Sequence, residues 1–322
     1  MKVFITGGTG FLGRHLAKRL LEDGCHVSIL VRNPQKVPEF LSGVEVVHGD
    51  LMNNSSYTGT VQNADVIYHC AALTGFWGLK WNDYYNANVL GTTKLLEQCE
   101  RWECPNIVHV STTLLYGPSK KAVLKDEQSQ LPEDIFDYER SKIQSEEIAI
   151  EFARNGLPLK IARPTSLYGA TGRLIPALVE GILNKSFRII GSGKNKKHIT
   201  HVSDCVNGLI MCAEKGKNGE TYNIGASYIP TMMEIVKTIS EELSVGIPPK
   251  VPRVTARGLA LLMEHVSRYK KTTPKLTRYV VDYMSLNHAC SVDLAKHELG
   301  FVSAVNFQEG VTSAVQEYMR IK

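Results

Sequence analysis

The chain has 322 residues, 43% hydrophobic and 21% charged, which is long enough to bury a sizeable core and is the balance of an ordinary globular protein rather than a disordered or fibrous one. A net charge of +5 is too mild to imply nucleic-acid binding, and no apolar stretch is long enough to span a bilayer. Seven cysteines, an odd number without a Cys-x-x-Cys pair, fit reduced, packed thiols better than a disulfide framework; with a structural strand at the very start and no secretory leader, the expected location is the cytoplasm.

Val3, Phe4 and Ile5 form the short apolar run of a buried parallel strand, and Phe11, Leu12, Leu16 and Leu20 recur at helical spacing behind it. Between them lie Gly7, Gly8, Gly10 and Gly13. Gly7 suits the tight turn, Gly10 a close approach of backbone to a pyrophosphate, and Gly13 close packing of helix on sheet, with the helix N-terminus facing the phosphates. Strand, glycine turn and helix in that order are the context in which such a fingerprint signals a dinucleotide.

Further strands are expected at Val27 to Val31, Val44 to Val47, Val66 to Cys70, Ile107 to Val110 and Leu159 to Ala162, with long helices around Asp83 to Trp102 and Tyr138 to Arg154. The alternation predicts an α/β fold, a doubly wound parallel sheet covered on both faces. The second strand ends Val31-Arg32-Asn33, where an NAD site usually places a carboxylate for the ribose 2′-hydroxyl. Arg32 cannot accept that bond, but its guanidinium suits a 2′-phosphate, so NADP(H) is favoured, with NAD(H) the alternative. Beyond the fourth strand, Thr74, Phe76 and Trp77, followed by Trp81, fit either the floor of an apolar substrate pocket or ordinary core aromatics.

Ser111-Thr112-Thr113 follow the fifth strand at its C-terminal end, where open sheets place ligands. Tyr138 and Lys142, four residues apart, share one helix face, and a nearby ammonium favours the phenolate that a proton-transferring tyrosine needs. Beyond Pro164 the rhythm changes, with prolines at 176, 230, 248, 249, 252 and 274 breaking the chain into shorter pieces. His198, His201 and Asp204 continue an alternating segment, and no metal site is expected there. An apolar run from Arg257 to Met263 joins a basic stretch containing Arg268, Lys270, Lys271, Lys275 and Arg278, which fits a solvated face, an amphipathic lid, a membrane-surface face or an anionic-substrate site.

With these pieces the chain resembles the extended short-chain dehydrogenase/reductase superfamily, over nearly its whole length. The resemblance rests on Thr6-Gly-Gly-Thr-Gly-Phe-Leu-Gly13, Gly49-Asp-Leu51, His69-Cys-Ala-Ala72, Asn88-Val-Leu-Gly-Thr92, Ser111 to Gly117, Tyr138 with Lys142, and Arg163-Pro-Thr-Ser-Leu-Tyr-Gly169. It implies a Rossmann domain over 1–170, completed by about 198–228, and an interleaved substrate-binding region over 171–322. Gly7, Thr9, Gly10, Phe11, Leu12, Gly13, Arg32, Asp50, Leu51, Cys70, Ala71, Ala72, Tyr138, Lys142, Pro164 and Ser166 would hold the cofactor. Thr112, Tyr138 and Lys142 would form the catalytic set, with Ser111 and Thr113 as substitute hydroxyls. Thr74, Phe76, Trp77, Thr113 and Arg173 are substrate candidates.

Within that superfamily the residues are more similar to dihydroflavonol reductase and 3β-hydroxysteroid dehydrogenase relatives than to nucleotide-sugar enzymes. Thr165 and Ser166 stand where the latter generally carry Asn, and Thr112 is followed by Thr113 and Leu114 rather than by Asp-Glu. The expectation is therefore an oxidoreductase acting on a carbonyl or alcohol of a bulky small molecule, working as a homodimer without nucleic-acid partner or membrane span. A nucleotide-sugar epimerase or dehydratase holding NAD is the alternative, and an NADP(H)-sensing protein without turnover is a second.

Overall fold

The structure, a computed structural model, describes residues 1–121, 123–133 and 135–322. In chain order the first half runs β1 (Lys2–Thr6), α1 (Phe11–Glu22), β2 (His26–Val31), β3 (Glu45–His48), α2 (Thr58–Gln62), β4 (Val66–His69), α3 (Trp81–Tyr84), α4 (Gly91–Arg101), β5 (Ile107–Val110), α5 (Asp137–Arg154) and β6 (Leu159–Pro164). The second half runs β7 (Ser166–Tyr168), α6 (Leu174–Leu183), β8 (Ile189–Ile190), β9 (Ile199–His201), α7 (Val202–Lys215), β10 (Thr221–Ile224), α8 (Met232–Glu242), β11 (Lys250–Val251), α9 (Arg253–Lys270), α10 (Arg278–Ser285) and α11 (Phe307–Ile321).

Seven strands pair in the order β3-β2-β1-β4-β5-β6-β10, every neighbour parallel. The sheet is apolar on both faces because helices cover both. Val3, Ile5 and Val27 pack with Leu16 and Leu20 of α1 and Leu209 of α7; Phe4, Ile67 and Ile107 pack with Leu95 and Leu96 of α4 and Ala149 of α5. The chain leaves β1 toward β2 and β3, then returns to β4 on the other side of β1. That reversal opens a crevice at the C-terminal ends of β1 and β4, the usual ligand position in open α/β sheets.

A second core joins Ile175 and Val179 of α6, Ile235 and Ile239 of α8, Val281 of α10 and Val311 of α11. Two short parallel pairs, β7 with β9 and β8 with β11, connect this part to the main sheet. Between α3 and α4 the residues Tyr85–Leu90 are wound as a π-helix, so 81–101 forms one continuous rod with a widened turn in its middle. Such widened turns collect at functional sites, and this one carries Asn88.

Candidate functional site

The glycine turn after β1 has the shape that an anion requires. Gly7 sits at φ +73°, and a Cβ there would lie 2.7 Å from the Ala71 backbone nitrogen. A Cβ on Gly13 would lie 2.3 Å from the Gly7 carbonyl oxygen, so any side chain would push α1 off the turn. Gly10 caps α1 without a side-chain hydrogen bond and no acid occupies the first turn, leaving the N-terminal amides to an external acceptor.

A groove of about 590 Å³ runs from this turn along the strand ends. Gly7, Thr9, Gly10, Arg32, Asp50, Leu51, Cys70, Ala71 and Ala72 line it, together with Asn86 and Ala87 from the widened turn. Arg32 is exposed, with no acidic partner among the described residues. Phe11 and Leu12 point elsewhere: the Phe11 ring lies where Cβ atoms on Gly169 and Gly172 would meet it at 3.1 and 3.0 Å, and Leu12 packs into the core. Pro164 ends β6, and the Ser166 hydroxyl accepts a 2.8 Å hydrogen bond from Tyr283 Oη; neither lines the groove. A phosphate-bearing dinucleotide fits the residues present, since the tightest places are glycines and, among the described residues, the side-chain charges along the groove are Arg32, Asp50 and Asp83.

A buried relay holds the loop after β4. Ala71 N–H donates to Thr6 Oγ1 at 3.3 Å, Thr6 Oγ1 and His69 Nδ1 are 2.7 Å apart, and His69 Nε2 and Thr92 Oγ1 are 2.8 Å apart. Thr92 donates onward to the Asn88 carbonyl at 2.6 Å, so its oxygen accepts from His69 and the imidazole is the Nε2–H tautomer. Burial, aided by the Lys142 charge, pushes His69 down to about 3 and keeps it neutral. The Asn88 side chain accepts from Leu73 N–H at 2.6 Å and donates to Ser141 Oγ at 2.8 Å, while Ser141 donates to the Tyr138 carbonyl at 2.7 Å. One amide thus ties the loop after β4 to the helix that carries Tyr138.

Tyr138 and Lys142 are both buried on α5. Lys142 Nζ donates to the Val110 carbonyl at 2.9 Å, and burial lowers its ammonium to about 8 against the opposing charges of Glu146 and Cys70. The Tyr138 phenol moves the other way. Burial and then the Glu139 carboxylate raise it well above the ordinary tyrosine range, while the Thr112 hydroxyl and the Arg173 charge oppose the rise. Lys142 is not among the larger influences on Tyr138, where burial dominates. Thr112 also accepts a hydrogen bond from Leu114 N–H at 3.2 Å. Of the substitute hydroxyls, Thr113 donates to the Pro164 carbonyl at 3.3 Å, and Ser111 Oγ is buried with no partner.

Tyr138 opens onto a cleft of about 1060 Å³ between the main sheet and the second core. One wall is aromatic: Phe76 lies edge-on to Tyr138 at 5.4 Å between centroids and stacks on Tyr279 at 4.2 Å, and Tyr279 meets Phe136 edge-on at 4.6 Å, while Arg257, Arg268, Lys271, Arg278 and Asp282 make other parts of the lining charged. Trp77 lines the same cleft, donates from Nε1 to the Thr272 carbonyl at 3.2 Å and lies under Arg268, 5.7 Å from its ring centroid. Arg173 donates to the Thr74 carbonyl at 3.1 Å. Thr74 and Arg173 are thus beside the aromatic wall rather than in it, and Thr113 lies in a separate small space with His198 and Cys290.

Two residues of the cleft were not anticipated. Glu139 is buried beside Tyr138 with its Oε2 unpartnered, and desolvation pushes its carboxyl up to about 7 against a hydrogen bond from Tyr279. Its place directly after Tyr138 on the helix was the available signal. Tyr279 arrives from the C-terminal part, where spacing alone carries no trace of the stack it joins. The histidines near 200 have structural partners: His198 Nε2 lies 2.7 Å from the Ala226 carbonyl oxygen, His201 caps α7, and Asp204 accepts from Ala304 and Val305 N–H.

Comparison with known proteins adds four findings. A family model described as the NAD dependent epimerase/dehydratase family matches residues 3–225. A 4-hydroxy-2-methyl-3-oxo-4-farnesyl-3,4-dihydroquinoline-1-oxide ketoreductase from Stigmatella aurantiaca is 29% identical over 98% of this chain and 96% of its own length. A 2-alkyl-3-oxoalkanoate reductase from Stenotrophomonas maltophilia is 26% identical over 97% of each chain. In fold the chain is similar to UDP-glucuronic acid 4-epimerase from Bacillus cereus in complex with NAD, with TM-score 0.78, 22% identity, and coverage of 99% of this chain and 96% of that one.

Proposed function

The chain belongs to the NAD-dependent epimerase/dehydratase family and is an NAD(P)-dependent oxidoreductase; on that premise we propose that it uses NADP(H) to reduce a ketone or aldehyde on a bulky small molecule. The observation that carries this reading is the cleft, aromatic on the side of Phe76 and Tyr279, that opens on the buried Tyr138. The ketoreductase and 3-oxoalkanoate reductase relatives support it, as does the sequence after Thr112, which is Thr113-Leu114 rather than Asp-Glu.

NADPH, when bound, supplies the hydride. Tyr138 donates the proton to the oxygen that becomes the alcohol, a task suited to a phenol kept protonated near neutral pH. Thr112 orients that oxygen. Lys142, anchored on the Val110 carbonyl, holds the ribose hydroxyls, and the amides at the start of α1 receive the pyrophosphate. Arg32 reads the 2′-phosphate; Asp50 and Leu51 flank the adenine, and Pro164 and Ser166 stand near the nicotinamide. In this division of labour residues 1–170, completed by about 198–228, serve the cofactor and 171–322 serve the substrate.

Tyr138→Phe tests the assignment, because it removes the phenolic hydroxyl and little volume. Turnover should fall by about 10²–10⁴-fold with NADPH affinity nearly unchanged, read by steady-state kinetics and by cofactor fluorescence. Undiminished turnover would remove Tyr138 from the reaction. The nucleotide-sugar reading predicts instead NAD that stays with the protein through purification, and the sensing reading predicts NADPH binding without turnover of any carbonyl.

A further inference from the structure

Helix α9 is folded with its polarity reversed. The residues it buries are Ala256, Ala260, Glu264 and Ser267, small or polar, whereas its large apolar side chains face outward. Val254 is 85%, Leu262 62% and Tyr269 89% exposed, and Leu259, Leu261 and Val266 are each more than 40% exposed. At 100° per residue Val254, Leu261, Leu262 and Tyr269 fall on one stripe along the 18-residue helix, about 27 Å long. A helix on a free protein surface normally shows the opposite arrangement, apolar inward and polar outward.

The charge around the stripe is of one sign. The helix has a single acid, Glu264, which is buried and paired to Arg278. Arg257 and Arg268 follow one edge of the stripe, and Lys270, Lys271 and Lys275 gather at its C-terminal end. Among the described residues Arg257 is paired, with Asp282, while Arg268, Lys270, Lys271 and Lys275 have no acidic partner. A second copy of this chain laid stripe to stripe would bring like charges together. An anionic lipid surface would instead take the apolar stripe into the acyl boundary and pair the flanking cations with headgroups.

We propose that α9 is a membrane-surface helix, which seats the protein on anionic bilayers with Val254, Leu261, Leu262 and Tyr269 at the acyl boundary. The same helix turns Arg257, Glu264, Ser267 and Arg268 into the cleft beside Tyr138. On the catalytic reading above, a substrate reaching that cleft from the bilayer would be a membrane-partitioned apolar molecule; the docking itself does not rest on that reading.

The test is flotation of the full chain with vesicles of phosphatidylcholine, alone or mixed with phosphatidylglycerol. A Leu262→Glu/Tyr269→Glu variant is run beside it, since both side chains are exposed and neither lines the cleft. The expected result is binding to the phosphatidylglycerol vesicles, weakened by added salt, absent for phosphatidylcholine alone, and lost in a variant whose melting temperature is unchanged. Absence of flotation, equal flotation with both lipids, or flotation retained by the variant would each overturn the proposal. A dimer in solution that the variant dissolves, without lipid binding, would assign the face to a second copy and overturn it as well. Lipid binding is read without turnover, so a failed reductase assignment leaves this result standing.

Discussion

At the level of single residues, two side chains near the sheet ends make opposite demands. Arg32 stands where a ribose-binding carboxylate would favour NAD, and a charge-assisted contact of about 1.5–3 kcal/mol with a 2′-phosphate corresponds to roughly 10–100-fold in affinity. Arg32→Asp should therefore shift kcat/KM toward NADH by at least about tenfold relative to NADPH. An unchanged ratio would mean that another group reads the 2′-position. Glu139 is governed by burial, which holds its carboxyl at about 7 rather than the ordinary 4.5. Between those values the native state keeps a proton that the unfolded chain has released, so the stabilisation is complete below 4.5 and is lost as the pH rises through 7. Glu139→Gln, which carries no charge to desolvate, should gain in melting temperature relative to the wild type as the pH is raised across that window. A difference independent of pH would show that the buried carboxyl does not titrate there. Arg32 was legible from the sequence, because one strand end and one spacing define its place; the environment of Glu139 was not, because the Tyr279 that covers it is 140 residues away.

Among the elements, the strand and helix faces were legible and the joints between them were not. Apolar runs and helical spacing predicted β1, α1, β2, β4, β5, β6 and α5 to within a residue or two, because both faces of a parallel sheet must be apolar. The seventh strand, β10, escaped notice: it is four residues long and alternates Thr221 and Asn223 with Tyr222 and Ile224, a pattern no different from a loop. Its inward polar groups are satisfied by distant partners, as when Asn223 Oδ1 accepts from Tyr116 Oη at 2.9 Å. The same network contains a buried ion pair between Glu146 of α5 and Arg163 of β6, with Arg163 Nε 3.1 Å from both carboxylate oxygens. Glu146 also opposes the lowering of Lys142 by burial. Glu146→Leu strands the Arg163 charge and should cost about 3–5 kcal/mol in urea unfolding. A loss within 1 kcal/mol would mean that Arg163 finds another partner, for example through Tyr116 Oη, to which it already donates at 2.7 Å.

For the molecule as a whole, the crevice at the β1/β4 reversal and the cleft of the second core adjoin. Leu79 lines both, and the loop that bears Phe76 and Trp77 reaches across to Thr272 and Tyr279. The glycine turn and the groove beside it could be read from motifs, because a tight turn and close backbone approach restrict residue type. The cleft beside Tyr138 could not, since its lining is assembled from side chains more than 200 residues apart in the chain, and packing of aromatic rings leaves no fixed spacing behind. On the reading proposed above, the aromatic part of that wall beside Tyr138 would take a large, mostly apolar carbonyl compound rather than a sugar nucleotide. The most direct test is the loss of NADPH absorbance, with NADH in parallel, across aldehydes, ketosteroids, flavonoid ketones, 3-oxoalkanoates and nucleotide 4-keto sugars. Turnover of a non-nucleotide carbonyl with NADPH preferred is the predicted result, and activity confined to nucleotide sugars, or to NADH, would contradict it.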